Sequence, residues 1–98
     1  MTRIVRYTVA ASIAVATMQT SAQAQSARSA ASQEKTADSL FASKAFDRAY
    51  VLYDSLARRD TASARYWNQL GYAAASLSRY AAGAAAFARA ARINPNPI

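Results

Sequence analysis

The chain has 98 residues with 12 Lys and Arg against 5 Asp and Glu, a net charge of +7, and neither Cys nor His. Ninety-eight residues suffice for one small domain. The missing Cys and His exclude disulfides, thiol chemistry and zinc or haem sites built on those ligands, and remove the commonest general base. Only two Gly and two Pro interrupt an alanine-rich chain, a composition that favours helices.

The N-terminus reads as a targeting segment. Arg3 and Arg6 precede an apolar run from Tyr7 to Met18, and Ala22-Gln23-Ala24 forms a small-residue cleavage site. Basic, apolar and small-polar regions in that order predict a secretory signal peptide over 1–24, cut after Ala24. The apolar run is shorter than the roughly 20 residues that a membrane-crossing helix needs. The expected destination is periplasmic or secreted, with membrane contact through the signal peptide alone. Loss of Arg3 and Arg6 would leave 10 basic and 5 acidic residues, a net +5. The longest basic block is Arg58-Arg59 and no aromatic residues interleave with it, so a solvated surface explains this charge better than nucleic-acid binding. A membrane-surface or nucleic-acid binder working through that charge is the lesser alternative.

Residues 25–32 read as a polar spacer. From Gln33 the apolar residues recur at helical spacing, with Thr36, Ala37, Leu40 and Phe41 on one stripe. A break is expected near Ser43-Lys44-Ala45. Asp47 opens the second helix, where the helix dipole favours a negative charge. Its stripe is Phe46, Ala49, Tyr50, Tyr53, Leu56 and Ala57. Residues 58–63 are a polar connection in which Asp60, Thr61 and Ser63 offer capping oxygens. The third helix is expected from about Ala64 to Leu77 and the fourth from about Ala81 to Ile93. Asn94-Pro95 stops the fourth, because the residue before proline avoids the helical region. Nothing alternates with period two. The fold class is therefore all-α, two antiparallel helical hairpins.

The hairpins repeat at one fixed offset: Phe46 falls on Tyr80, Ala49 on Gly83, Tyr53 on Phe87 and Leu56 on Ala90. A helix-turn-helix period of this length, about 34 residues, is a known repeat architecture. Within the second unit, 64–97, stand Trp67, Leu70 and Gly71, then Phe87, Ala90 and Pro95. This unit resembles the tetratricopeptide repeat, whose pattern runs W-x2-L-G-x2-Y, then A-x3-F, then P. Tyr80 also matches an aromatic found before the family's second helix. Ala74 and Gly83 depart from the pattern, each toward a smaller residue, which suggests a looser interface. The first unit, 30–63, is weaker: Gln33, Thr36 and Ala37 stand at its Trp, Leu and Gly sites. The resemblance covers 30–97, within a repeat domain of 33–97, and implies an α-solenoid of two units.

The spacing suggests that Gly71, Gly83 and Ala90 are low spots where two helices approach. Trp67, Leu70, Tyr80 and Phe87 would then fill around them. The resemblance implies protein binding in a groove lined by the first helix of each unit. Residues opposite the packing stripe are the candidates: Glu34, Asp38 and Phe41 in the first unit, and Arg65, Asn68, Tyr72 and Ser76 in the second. Tyr72 stands out, since an apolar ring with a polar tip suits interfaces. For the charged members an ordinary solvated face is the plain alternative. No second Asn or Lys on the helix of Asn68 completes a carboxylate clamp.

Two repeats are fewer than the about three needed for independent stability. The outer face of the last helix, with Ala84, Ala85, Ala88 and Ala91, is expected to stay partly apolar and to offer a surface for homo-oligomerisation. No catalytic constellation, phosphate loop, cofactor motif or small-molecule site is visible. Ser32-Gln33-Glu34-Lys35 matches S-x-x-K but lacks its companion motifs, and Ser32 is expected as a helix N-cap. The expected function is an exported protein-interaction module without enzymatic activity. The alternative is the docking segment of a larger exported protein whose catalytic or other domain lies beyond residue 98.

Overall fold

The computed structural model describes the backbone of residues 2–95 and the side chains of residues 21–95, and every structural statement below concerns these. They form four helices: α1 Thr2–Ala42, α2 Phe46–Arg59, α3 Ala64–Ser76 and α4 Tyr80–Ile93. The chain is all-helical, and its C-terminal part is built of helical hairpins. It divides into two units, Met1–Ala31 and Ser32–Ile98.

The helix of α1 continues through residues 25–32, where a spacer was expected. The segment contains no Gly or Pro and is rich in Ala, Ser and Gln, so nothing in it breaks a helix already under way. Residues 21–29 are exposed. Ser32 consequently lies inside α1, where its carbonyl accepts from Thr36 Oγ1 at 3.1 Å; it is not an N-cap. The expected signal peptide rests mainly on the side chains of residues 1–20, which lie outside the described residues.

The second unit contains the two hairpins. Its core is Ala37, Ala49, Tyr53, Leu56, Ala57, Leu70, Ala73, Ala74, Ala86 and Ala90. Small residues dominate it, so the helices approach closely, and Tyr53 and Leu56 are the largest fully buried side chains. Helix starts and stops have local causes. Asp47 lies in the first turn of α2 and Arg58 and Arg59 in its last, both matched to the helix dipole. Ser63 caps α3 by accepting from the Tyr66 amide at 3.3 Å.

The repeat offset is written into the backbone as well. Lys44 and Ser78 are the non-glycine residues with positive φ, at 64° and 61°, and they occupy equivalent turn positions. Ala45 N donates to Leu40 O at 2.9 Å, and at the equivalent place in the second hairpin Arg79 N donates to Ala74 O at 2.8 Å. Both close a helix end by pairing one of its last carbonyls. The far ends match too, with Asp60 N bonded to Leu56 O at 3.0 Å and Asn94 N to Ala90 O at 2.9 Å.

Gly71 and Gly83 mark the crossing of α3 and α4. A Cβ on Gly71 would lie 2.8–2.9 Å from three ring atoms of Phe87, and one on Gly83 would lie 3.2 Å from the Gly71 carbonyl oxygen. The expected low spots therefore exist, and Phe87 lies against one. Leu70 is buried. Trp67 is half-buried, donates its Nε1–H to Thr61 O at 3.0 Å and carries the Arg89 guanidinium 4.5 Å above its ring. Tyr80 does not fill the crossing: it is 70% exposed. Its counterpart Phe46 packs edge-on against Phe41 at 5.4 Å, but Ala75 stands at the place of Phe41 in the second hairpin and offers Tyr80 no ring to pack on.

Candidate interaction site

Five of the seven candidate groove residues fall into two groups. In the first, charges neutralise one another across the hairpins. Arg65 on α3 donates Nη1–H to Glu34 Oε1 at 2.8 Å and Nη2–H to both Asp38 oxygens at 2.8 and 2.9 Å. Such charge-assisted, forked bonds fix geometry as well as charge. Tyr66 donates its hydroxyl to Glu34 Oε2 at 2.9 Å. Tyr53 donates its hydroxyl to Asp38 Oδ1. Glu34, Asp38 and Arg65 thus lock α3 to α1.

The electrostatics follow from these contacts. Burial pushes the Tyr53 hydroxyl up to about 12, and its hydrogen bond to Asp38 adds to the shift. Burial likewise raises Tyr66, helped by Glu34. For Arg65, desolvation works against the charged form. The hydrogen bond to Asp38, with the charges of Asp38 and Glu34, outweighs it, and the net shift is upward.

The second group forms an aromatic row. Phe41 on α1 meets Phe46, Tyr53 and Tyr72 edge-on, with centroids 5.4, 6.1 and 6.5 Å apart. Tyr72 in turn meets Phe87 edge-on at 5.2 Å. Edge-to-face pairs of this kind add to the burial they accompany. Phe41 is half-buried in this row, whereas Tyr72 is 57% exposed. Ser76 is exposed and returns its hydroxyl to Tyr72 O at 2.8 Å.

Beside Tyr72 lies a cleft of about 630 Å³ lined by Ala64, Arg65, Asn68, Gln69, Tyr72, Phe87, Ala90, Ala91 and Asn94. Arg65, Asn68 and Tyr72 are the candidate residues it brings together. Gln69, Phe87, Ala91 and Asn94 were not among the candidates. The repeat offset finds Phe87 and Ala91, which map onto the buried Tyr53 and Ala57; Gln69 and Asn94 map onto the exposed Lys35 and Asp60 and carry no such signal. A second cleft of about 670 Å³, lined in part by Leu40, Asp47, Arg48, Val51, Leu77 and Arg79, lies beside α2.

The described residues hold no group of three His, Cys, Asp or Glu placed to bind a metal ion, and among them no helix is long and apolar enough to cross a membrane. No family model matches the chain, no curated protein matches it, and no solved structure matches it. The arrangement offers an open, largely uncharged surface with an aromatic anchor, which suits non-covalent association.

Proposed function

We propose that the chain is an exported, non-enzymatic protein-interaction module of tetratricopeptide-like hairpins, with its binding surface centred on Tyr72. One observation carries this reading. The surface that α3 covers on the first hairpin, with Tyr53, Leu56 and Ala57 buried, recurs on the second hairpin as an open cleft. There Tyr72 stands 57% exposed beside Phe87, Ala90 and Ala91. A large exposed ring over a floor of small residues is the composition of an interface anchor. Glu34, Asp38 and Arg65 frame the surface by holding α1 and α3 in register, and Asn68 and Gln69 supply uncharged hydrogen-bonding groups at its edge. The basic, apolar and small-polar order of residues 1–24 supports export, and the absence of Cys suits an oxidising compartment as well as a reducing one.

A photoreactive phenylalanine introduced at Tyr72, with a control at the exposed Val51, tests the surface. The expected result is a protein adduct from position 72 and none from position 51. Adducts from position 51 alone, or from neither position, overturn the reading.

A further inference from the structure

This inference rests on the reading that the Tyr72 surface binds a protein, and names the partner. The two hairpins present equivalent surfaces, and the molecule shows what the first one takes. It takes a helix, α3, and its acidic pair Glu34 and Asp38 grips Arg65 of that helix. At the same two positions of the second hairpin stand Asn68 and Tyr72, neither of them charged. The second surface is therefore shaped for a helix but has no acidic group to hold a basic one. Arg65 at its edge is already neutralised by Glu34 and Asp38.

That local neutrality sets the cleft apart in a basic chain, of net charge +7 in full and +5 once Arg3 and Arg6 are removed. Two copies of such a chain repel each other over most of their surfaces, and a self-contact is stable only where like charges do not meet. The α3/α4 cleft meets that condition, whereas the cleft beside Val51 carries Arg48 and Arg79 against the single acid Asp47 and so keeps a net positive charge. The cleft is also complementary to itself. It bears a protruding ring, Tyr72, and a flat stretch of α4 at Ala90 and Ala91, with Ala91 exposed. A two-fold axis brings the ring of each copy onto the flat stretch of the other, the reciprocal pattern of an isologous interface.

We propose that the partner of this cleft is a second copy of the chain, joined through α3 and α4 with Tyr72 of each copy seated over Ala91 of the other. The resulting association of two hairpins has the form of a four-helix bundle.

Sedimentation equilibrium of the full chain, with and without substitutions, tests the proposal, and circular dichroism confirms that each variant stays helical. The wild type is expected to show twice the monomer mass. Ala91→Arg and Tyr72→Asp, both at exposed positions, are each expected to weaken the dimer at least about tenfold. An equimolar mixture of the two is expected to restore association, because one of the two reciprocal contacts becomes an Arg–Asp pair. Val51→Arg is expected to leave the dimer intact. A wild type that stays monomeric at every concentration overturns the proposal. So does a dimer broken by Val51→Arg but not by Ala91→Arg. The mass of the adduct from position 72 separates this proposal from the reading beneath it. An adduct of two chains supports both, an adduct with a different protein overturns the second copy and keeps the interaction surface, and no adduct overturns both.

Discussion

The ring of Tyr72 meets the ring of Phe87 edge-on at 5.2 Å, at the positions where the first hairpin pairs Asp38 with the hydroxyl of Tyr53. The same backbone frame holds a phenol–carboxylate hydrogen bond in one repeat and an aromatic pair in the next. A second such exchange joins Gln33 and Ser55, hydrogen-bonded at 3.5 Å, to Trp67 and Arg89, stacked at 4.5 Å. The frame fixes which positions meet, and the residue types decide the chemistry of the meeting.

Gly71 has no room for a side chain. A helix-interior Gly→Ala change gains about 1 kcal/mol in helix propensity. Here the new Cβ would lie 2.8–2.9 Å from the Phe87 ring, and overpacking of this kind costs about 1–3 kcal/mol. Gly71→Ala is expected to be destabilising in urea unfolding, with Gly71→Ala/Phe87→Leu recovering part of the loss. A stabilised single variant would show that the ring moves aside freely. Gly83→Ala meets backbone at 3.2 Å and is expected to cost less.

The two turns offer the opposite effect. Lys44 and Ser78 hold φ at 64° and 61°, a region that costs a non-glycine residue about 1 kcal/mol or more. Lys44→Gly and Ser78→Gly are each expected to stabilise the fold by about 0.5–1 kcal/mol after the entropy of glycine is counted. In a domain this small that is a rise in Tm of roughly 2–8 °C, read by thermal unfolding. An unchanged or lower Tm in both variants would contradict the strain argument.

Arg65 joins α3 to α1 through two carboxylates but is itself about half exposed. Solvent screening limits partly exposed pairs to about 1 kcal/mol. Arg65→Met keeps the apolar stem and is expected to lower stability by about that much, with the difference from wild type shrinking as salt is raised. A loss independent of salt would assign the effect to packing.

Tyr53 gives the alkaline limit. Its hydroxyl is held at about 12 against an ordinary value of 10.0. Between those values the unfolded chain releases a proton that the folded chain keeps, so stability falls as pH rises. The contribution is complete below pH 10 and lost by about pH 12. Tyr53→Phe, which leaves Asp38 to Arg65 alone, is expected to reduce the slope of stability against pH in that window. An identical slope in the variant would place the alkaline loss elsewhere.

Much of the site was legible in outline. Spacing alone put Arg65, Asn68, Tyr72 and Ser76 along one side of α3, because side chains three and four residues apart share a helical face. It did not show that Glu34 and Asp38 close onto Arg65. Those partners lie 31 and 27 residues away, and no local period encodes a contact of that range. Charges expected to face a partner are therefore engaged within the chain, leaving Tyr72 and Ser76 as exposed uncharged members of the set, with Asn68 half-buried beside them.

By itself the sequence determined the helices of the two hairpins, their turns and the offset between them, since each rests on interactions within a few residues: apolar spacing, caps and breakers. It also marked Gly71 as a place of close approach. Only the tertiary structure decided which faces are covered. The packing of α3 onto the first hairpin buries Tyr53 and Leu56, whereas the equivalent face of the second hairpin stays open and Tyr80 stands in solvent. Burial is a property of neighbours brought together by the whole chain, and two hairpins with the same local pattern differ in it because one has a helix against it.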